Sequence, residues 1–390
     1  MGEKKFAKPR NIYLLYTITC LQGMMFFLPI LALYFQQTLF TAQNVAIIFA
    51  VEAIAAAIFE VPTGAVADLF GRKRTMILAS GINILSIATL FIGGSMWMFV
   101  IYAVISALAN ALNSGTDTAL MYDTLKEIKK EKYYKKISGI HMALWPVGAA
   151  VGSIVGGYLA TISLQTPVLY SLIPYTLVLL LNFLLVEPQY ERQTDSTFNG
   201  HIIESIKDVL HNKQLIFILL GGIVAWSFGE SMQLMSQLFF QYKNIPIIWF
   251  GYAEAAGFTM SSLGFYFSHH ISERFGNKKT IIVSVIVLAL LIISATLAKG
   301  YMVLVLFELS SFLFGLRSPI LGHLWNEEVE SRKRATTNSI NSFIYQLGVA
   351  VFVPLVGYWS DLFSAGTAFL LSALIILFIS PIFFSFLKNN

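Results

Sequence analysis

The sequence has little charge and almost no cysteine. Only 12% of its 390 residues are Asp, Glu, Lys or Arg, whereas 56% are hydrophobic; ordinary soluble domains carry about 25% charged residues. This composition excludes a soluble domain of normal type, because so few charged side chains cannot cover a water-exposed surface. The single cysteine, Cys20, excludes intramolecular disulfides.

Motifs for several kinds of chemistry are also missing. The sequence has no GxxxxGK[ST] phosphate-binding loop and no GxSxG nucleophile elbow, and its six histidines do not have metal-ligand spacing. ATP-driven pumping and hydrolysis are therefore not indicated. We expect a protein that is not an enzyme and that holds neither a metal ion nor a cofactor.

Apolar stretches long enough to cross a bilayer recur along the whole chain. A spanning helix needs about 20 predominantly apolar residues. The first stretch, Ile12 to Phe35, is too long for a signal-peptide core and has no small-residue cleavage pattern, so we expect it to remain as a helix. The predicted helices 1 to 12 lie near 11–35, 44–66, 75–93, 96–122, 137–162, 166–186, 214–241, 247–269, 280–298, 301–325, 335–359 and 364–387.

The distribution of basic residues predicts the orientation. All but three of the 26 Lys and Arg residues lie in the termini and alternate loops on one side; Lys243 and Lys299 lie in loops on the other side, and Arg317 lies within a helix. Cytoplasmic loops are enriched in Lys and Arg, so we expect a multi-pass protein of the cell membrane with both termini cytoplasmic. The net charge of +5 then reflects orientation among membrane lipids, and nucleic acid is not an expected partner.

A long polar segment divides the chain near its middle. We predict an N-terminal six-helix half over 1–186, a cytoplasmic linker over 187–213 and a C-terminal six-helix half over 214–390. Apolar residues recur at helical spacing in the linker, which predicts an amphipathic interfacial helix there. They are Ile202, Ile203, Ile206, Val209 and Leu210.

An internal repeat relates the two halves. The segment from Asp68 to Thr75, DLFGRKRT, is matched 205 residues later by ERFGNKKT, from Glu273 to Thr280. Further along, an offset of 200 pairs Gly115 with Gly315. Repeats of this kind predict an all-α integral membrane protein with twelve transmembrane helices in two pseudo-symmetric six-helix halves.

The loop after helix 2 resembles the signature of the major facilitator superfamily, which is an acidic residue, then glycine, then a basic cluster. The resemblance implies alternating access by a monomer, with helices 1, 4, 7 and 10 around the cavity. It implies a conformational latch, which binds no substrate, at this motif and its echo in the second half. The residues are Gly64, Asp68, Gly71, Arg72, Lys73 and Arg74, with Glu273, Gly276 and Lys278 in the echo.

A glycine-rich stretch in helix 5, Gly148 to Gly157, resembles a motif of drug–proton antiporters. The proline usual near the second half of that motif is absent, and helix 4 lacks the basic residue that many such antiporters carry there. Small residues four apart also allow close helix packing, so packing and antiport both remain open explanations.

Acidic side chains inside the predicted helices are candidates for proton coupling or substrate binding. An ionisable group at this depth costs about 3 kcal/mol on insertion scales and usually faces a cavity or a partner. The candidates are Glu230, Glu52, Glu254 and Glu308. Glu230 is the foremost of these, since it lies near the middle of helix 7.

The offset of 200 also places Asp117 and Arg317 at equivalent positions in helices 4 and 10. An acid and a base related by a two-fold axis can approach each other at the cytoplasmic entrance, so we predict a gate formed by this pair. The alternative is that Asp117 bonds locally to Ser114 or Thr118 while Arg317 reaches the inner interface.

The resulting functional prediction is a secondary active transporter of a small molecule. We expect proton-coupled efflux of hydrophobic or cationic compounds. A proton-coupled uptake symporter is the alternative within transport, and a membrane-embedded enzyme or lipid-moving protein is the alternative from another class. The pattern does not name the substrate.

Overall fold

A computed structural model of the chain describes residues 9–188, 207–330 and 333–388, without the side chains of 61–69 and of residue 335. The described residues form helices and no strands. Three apolar residues of the predicted amphipathic helix of the linker, Ile202, Ile203 and Ile206, lie outside the described residues. Within the described part, 207–211 is helical and Val209 is buried.

The first six helices follow the predicted order, with two interruptions. Helix 1 is broken between Gly23 and Leu31, and helix 4 is broken at Ser114 and Gly115. The segments are Arg10–Gly23 and Leu31–Leu39 (helix 1), Ala42–Phe70 (helix 2), Arg72–Ile92 (helix 3), Met96–Asn113 and Thr116–Glu127 (helix 4), Tyr134–Ala160 (helix 5) and Gln165–Leu184 (helix 6).

The last six helices repeat this order, and helix 7 is the interrupted one. Its α-helical segments are separated by a π-helical turn at Ile223–Ser227 and by a break at Met235. The segments are Lys213–Gly222, Phe228–Leu234 and Ser236–Tyr242 (helix 7), Ile248–Phe275 (helix 8), Asn277–Leu297 (helix 9), Met302–Glu327 (helix 10), Arg334–Leu362 (helix 11) and Ala365–Ser385 (helix 12).

In the described part of the chain, eleven helices are long and apolar enough to cross a membrane. Helix 8, with 28 residues, is also long enough to cross a membrane, but it is more polar than the other helices. Large apolar side chains lie exposed along the helices, among them Ile58 at 60%, Tyr158 at 64% and Phe378 at 65%. A surface of this kind suits lipid rather than water, as the composition predicts.

The chain forms two compact units. The first unit contains Met1–Ile30 and Ala55–Ser196, and the second contains Leu31–Ile54 and Thr197–Asn390. The core of the first unit is aliphatic: Leu15 and Ile18 of helix 1 are buried with Met76 of helix 3 and Leu120 and Met121 of helix 4.

The core of the second unit is aromatic. Phe239 of helix 7 stacks on Phe369 of helix 12, with ring centroids 4.5 Å apart, and Phe240 meets Phe307 of helix 10 edge to face at 5.3 Å. All four rings are buried. Pairs of this geometry contribute about 0.5–1.5 kcal/mol each beyond their buried area.

Polar contacts attach the segment Leu31–Ile54 to the second unit. The Asp361 carboxylate, on helix 11, accepts hydrogen bonds from the backbone N–H groups of Ala42 and Gln43, both at 2.8 Å. The Gln237 side chain of helix 7 accepts one from the backbone N–H of Ala32 at 2.7 Å. A carboxylate at a helix N-terminus satisfies free N–H groups and complements the helix dipole. These bonds explain why the first part of helix 2 clusters with the second unit.

Candidate functional site

Helices 1 and 7 are interrupted at equivalent positions of the repeat. Helix 1 leaves α-helical geometry between Gly23 and Leu31, where a short 3₁₀ turn covers Leu28–Ile30. Adding the repeat offset of 205 to 24–30 gives 229–235 in helix 7. This range follows the π-helical turn and includes the break at Met235. Interrupted helices at matching positions of two halves are typical of the substrate and ion sites of transporters. Glu230 is the acidic residue on the interrupted part of helix 7.

Three of the four predicted acidic candidates lie together in the second unit. Glu254 of helix 8 interacts electrostatically with both Glu230 of helix 7 and Glu308 of helix 10. We call these residues the acidic cluster. Gln233, one turn beyond Glu230, donates a hydrogen bond from Nε2 to Glu254 Oε2 at 3.4 Å. The cluster thus joins three helices, and two of them are predicted to line the cavity.

Glu308 is the most deeply buried member of the cluster. Its side chain is 3% exposed, and neither carboxyl oxygen has a hydrogen-bond partner among the described residues. It lies against helix 8 at Gly257, where an added Cβ would collide with Oε2. A glycine is needed at this position because any side chain would occupy the space of the carboxyl group. Burial without a partner makes Glu308 responsive to any proton or cation that reaches it.

The cluster does not have the geometry of a metal site. Within the described ranges, no group of three or more His, Cys, Asp and Glu side chains is close enough to hold a metal ion together. Carboxyl groups that interact electrostatically but do not together coordinate a metal ion are suited to binding and releasing protons or an organic cation.

Glu52, the fourth acidic candidate, lies on helix 2 in the part that belongs to the second unit and is half-buried. Its role stays a prediction.

A second polar constellation lies in the first unit and was missed in the sequence. His141 of helix 5 is 3% exposed; its Nε2 lies 2.6 Å from Thr19 Oγ1 of helix 1 and 3.6 Å from Asp117 Oδ2 of helix 4. Its Nδ1 has no partner among the described residues. The available signal was a lone histidine inside an apolar helix, which is rare at membrane depth. Metal-ligand spacing does not identify such a histidine, because its partners lie on other helices.

The two predicted gate residues lie in different units. Asp117 accepts a hydrogen bond from the Thr118 backbone N–H at 2.6 Å, which agrees with the local bonding considered as the alternative. Arg317 of helix 10 is 3% exposed, and its guanidinium carbon lies 5.7 Å from the centre of the Phe314 ring. A gate between Asp117 and Arg317 stays a prediction.

The loop motif that was predicted to act as a latch has well-defined contacts in the first unit. Gly71 has φ of +94°, a conformation that favours glycine. The Glu187 carboxylate accepts hydrogen bonds from the backbone N–H groups of Arg72 and Lys73, both at 2.8 Å, and Arg72 Nε pairs with Asp123 at 2.8 Å. Glu187, which follows helix 6, therefore caps helix 3, and Arg72 of the motif ties helix 3 to helix 4.

The echo of this motif has the same backbone turn. Gly276 has φ of +83°, and Glu273 lies 3.2 Å from His269 one turn earlier. Lys278 and Arg74 both lie in the first turn of the helix that follows the glycine. Gly64 and Asp68 fall in the stretch whose side chains lie outside the description. The latch role of all these residues stays a prediction.

The glycine-rich stretch of helix 5 packs against helix 1. An added Cβ at Gly148 would collide with the Cys20 carbonyl oxygen, one at Gly152 would lie 2.8 Å from Met24 Cα, and one at Gly156 would collide with the Phe26 carbonyl oxygen. These glycines allow the two backbones to approach closely, in the manner of small residues four apart. The packing explanation of the stretch therefore has direct structural support, and its part in antiport stays a prediction.

Comparison with known proteins assigns the family. The model of the Major Facilitator Superfamily matches residues 12–351 and 250–390. The chain belongs to the major facilitator superfamily. Membership in this superfamily confirms the predicted fold class and supports a transporter rather than an enzyme.

Two relatives within the superfamily are distantly similar to this chain. The chain is 25% identical over 261 residues to an uncharacterised transporter, YxaM, of Bacillus subtilis, covering 65% of this chain and 61% of the relative. It is 22% identical over 253 residues to the class H tetracycline resistance protein of Pasteurella multocida, covering 62% and 61%. The chain thus spans about 61% of the length of the curated relatives it matches.

The fold extends over the whole chain. The crystal structure of the nucleoside transporter NupG superposes with a TM-score of 0.80, at 15% identity, covering 98% of this chain and 99% of NupG. At this identity the likeness establishes the major facilitator fold and leaves the substrate open.

Proposed function

We propose that the chain is a proton-coupled secondary transporter that exports small hydrophobic or cationic compounds by alternating access. The observation that carries this proposal is the acidic cluster of Glu230, Glu254 and Glu308, which joins helices 7, 8 and 10 with Glu308 buried and unpartnered. The relative named as a tetracycline resistance protein supports the direction of transport.

The cluster provides a physical route to coupling. When charged, Glu254 repels both Glu230 and Glu308, and either a proton or a cationic substrate relieves this repulsion. Proton and substrate then compete for the same charge, so that binding of one releases the other. Competition of this kind, with access alternating between the two sides, exchanges an inward-moving proton for an outward-moving substrate.

Apolar side chains flank Glu230 along helix 7. Trp226 lies in the π-helical turn before Glu230, while Met232 and Met235 follow on the same helix. Aromatic rings and flexible methionines adapt to varied hydrophobic ligands. His141 and Asp117 of the first unit form a second titratable pair, which we propose as a participant in proton transfer.

The test is transport by proteoliposomes that contain the purified protein. A panel of dyes and cationic drugs, and a panel of sugars and nucleosides, are added with and without an imposed pH gradient while a pH-sensitive dye reports proton movement. We expect counter-movement of protons and cationic drugs. Glu230→Gln, Glu254→Gln and Glu308→Gln should each abolish it, whereas Glu327→Gln, at the exposed end of helix 10, should retain it.

Two results would contradict the proposal. Proton movement in the same direction as a sugar or nucleoside would establish the alternative, an uptake symporter. Gradient-driven export that persists in all three cluster variants would show that the proton site lies elsewhere.

A further inference from the structure

A cavity of about 370 Å³ lies among helices 7, 10 and 11 of the second unit. Small-molecule sites usually have volumes of about 300–1,000 Å³, so this one suits a compound of one or two rings. Among the described residues that line it there is no carboxylate. The cavity is therefore chemically distinct from the acidic cluster.

Flat aromatic surfaces form much of the wall. Trp226 of helix 7 stacks on Tyr345 of helix 11 with ring centroids 5.2 Å apart and planes 29° apart, and both line the cavity. Phe314 and Trp325 of helix 10 line it as well. Walls of this kind favour a planar apolar body in the ligand.

Three buried polar atoms of the lining lack hydrogen-bond partners among the described residues. They are Arg317 Nη1, Trp325 Nε1 and Asn341 Oδ1. Arg317 is 3% exposed and Trp325 is 1% exposed. The Asn341 side chain is hydrogen-bonded to the Tyr345 hydroxyl group, and since its Oδ1 has no partner, that bond uses its amide N–H. Buried polar groups are nearly always satisfied, so three unsatisfied groups around one cavity indicate a ligand that satisfies them.

The charge of the lining specifies the ligand further. Arg317 forms no ion pair with a carboxylate in the described part of the chain; its neighbours are the Phe314 ring and Tyr345. A buried guanidinium without a counter-charge is costly, and its planar donors match a carboxylate. Trp325 adds a neutral donor, and Asn341 adds an acceptor. The lining therefore presents two donors and one acceptor, with a net positive charge.

We propose that this cavity is a binding site for a planar aromatic compound that carries a carboxylate group. The carboxylate accepts hydrogen bonds from Arg317 and Trp325, and the ring system lies beside Trp226 and Tyr345. The site does not depend on the direction or the coupling of transport, because it is defined by the binding of an anion to helices 7, 10 and 11.

The test compares two probes with the same ring system. Purified protein in detergent is titrated by calorimetry with 2-naphthoate and with 2-naphthylmethylamine, which is cationic at pH 7. We expect saturable binding of naphthoate and at least about tenfold weaker binding of the amine. Arg317 forms a charge-assisted pair with the naphthoate carboxylate and repels the ammonium group of the amine. Equal binding of both probes, or no saturable binding of naphthoate, would overturn the proposal.

Variants identify the residues responsible. Arg317→Gln should weaken naphthoate binding at least about tenfold and remove the preference over the amine. Trp325→Phe keeps an aromatic ring in the wall, smaller than the indole, and removes the N–H donor; it should weaken binding about two- to tenfold. The control is Lys299→Gln, which removes a positive charge from the same unit in the loop before helix 10 and should leave both affinities unchanged.

Folding is monitored by the melting temperature of each variant. If Arg317→Gln does not fold, Trp325→Phe decides the question alone, and unchanged naphthoate affinity in that variant refutes the site. If Arg317→Gln folds and still prefers naphthoate, the preference does not come from Arg317 and the proposal is wrong. Naphthoate flux in proteoliposomes then determines whether an established ligand of this site is also transported.

Discussion

Replacing Glu308 should stabilise the protein while abolishing gradient-driven transport. The Glu308 carboxyl group is buried in helix 10 against Gly257 of helix 8, and neither oxygen has a hydrogen-bond partner among the described residues. Methionine has nearly the same length and volume as glutamate and carries no group that needs a partner. Glu308→Met therefore removes an unsatisfied polar group without opening a cavity.

The magnitude follows from the cost of such groups. A buried polar group without a partner costs about 1–3 kcal/mol, and for a unit of this size 1 kcal/mol shifts the melting temperature by about 2–4 °C. Glu308→Met should accordingly raise the melting temperature by about 2–12 °C. A functional carboxyl group that lowers stability is an instance of the common conflict between activity and stability.

The assay is a thermal melt of the purified variant beside transport in proteoliposomes. Glu327→Met, on the same helix, is the matched control: Glu327 is 47% exposed and pairs only with His323 one turn earlier among the described residues. We expect that variant to change the melting temperature by less than about 2 °C, as for ordinary surface substitutions, and to retain transport.

Two outcomes would refute the reasoning about Glu308. A fall in melting temperature for Glu308→Met, at unchanged expression, would show that the carboxyl group stabilises the unit through bonds to its surroundings. Normal pH-driven transport by Glu308→Gln would show that the charge is not required for coupling.

Three further predictions concern packing, orientation and pH. Gly152→Ala should destabilise the protein by about 1–3 kcal/mol because its Cβ would meet the backbone of helix 1. Gly139→Ala, on the same helix with open space around it, should have no such effect. Equal shifts of the two variants in thermal melts would contradict this. In a Cys20→Ser background, a cysteine at Lys299 should react with an impermeant reagent added outside cells and a cysteine at Lys129 should not, and the reverse labelling would show that the orientation is inverted. Hydrogen bonds from Lys388 and Asn212 hold the pKa of the Glu328 carboxyl group below its usual value, so its stabilisation of about 0.5–1 kcal/mol is present at neutral pH and is lost as the pH falls through that lowered pKa. Glu328→Gln should therefore lower the melting temperature at pH 7 and lower it progressively less as the pH falls below the usual carboxyl pKa of 4.5. An equal loss over this whole pH range would contradict the charge-based explanation.

Much of the architecture was predictable because lipid imposes a simple pattern. A membrane helix must be apolar over about 20 residues and must satisfy its own backbone, so helix 9, predicted at 280–298, is found at Asn277–Leu297. The repeat of Gly71 and Gly276 predicted equivalent turns, and both glycines have the same left-handed backbone. Interruptions were harder to predict. The breaks in helices 1 and 7 lie within apolar stretches, and the break in helix 7 contains no proline. There, packing against neighbouring helices determines the backbone.

The candidate site was predictable in its members but not in its grouping. Glu230, Glu254 and Glu308 were identified one by one, since an acidic residue inside an apolar helix stands out in any sequence. Their association depends on which face each helix turns toward its neighbours, and a helix that is apolar all round does not encode that face. His141 was missed for the same reason, because its contacts with Thr19 and Asp117 come from three separate helices.

The sequence by itself thus determined the all-helical membrane fold, the twofold repeat and the short inventory of charged side chains inside the helices. The tertiary structure alone decided that Leu31–Ile54 clusters with the second unit, that Glu254 interacts with both Glu230 and Glu308, and that Arg317 faces an aromatic cavity. The physical reason is that transfer into lipid depends on each residue separately, whereas the rotation and close approach of helices depend on contacts between residues far apart in the chain.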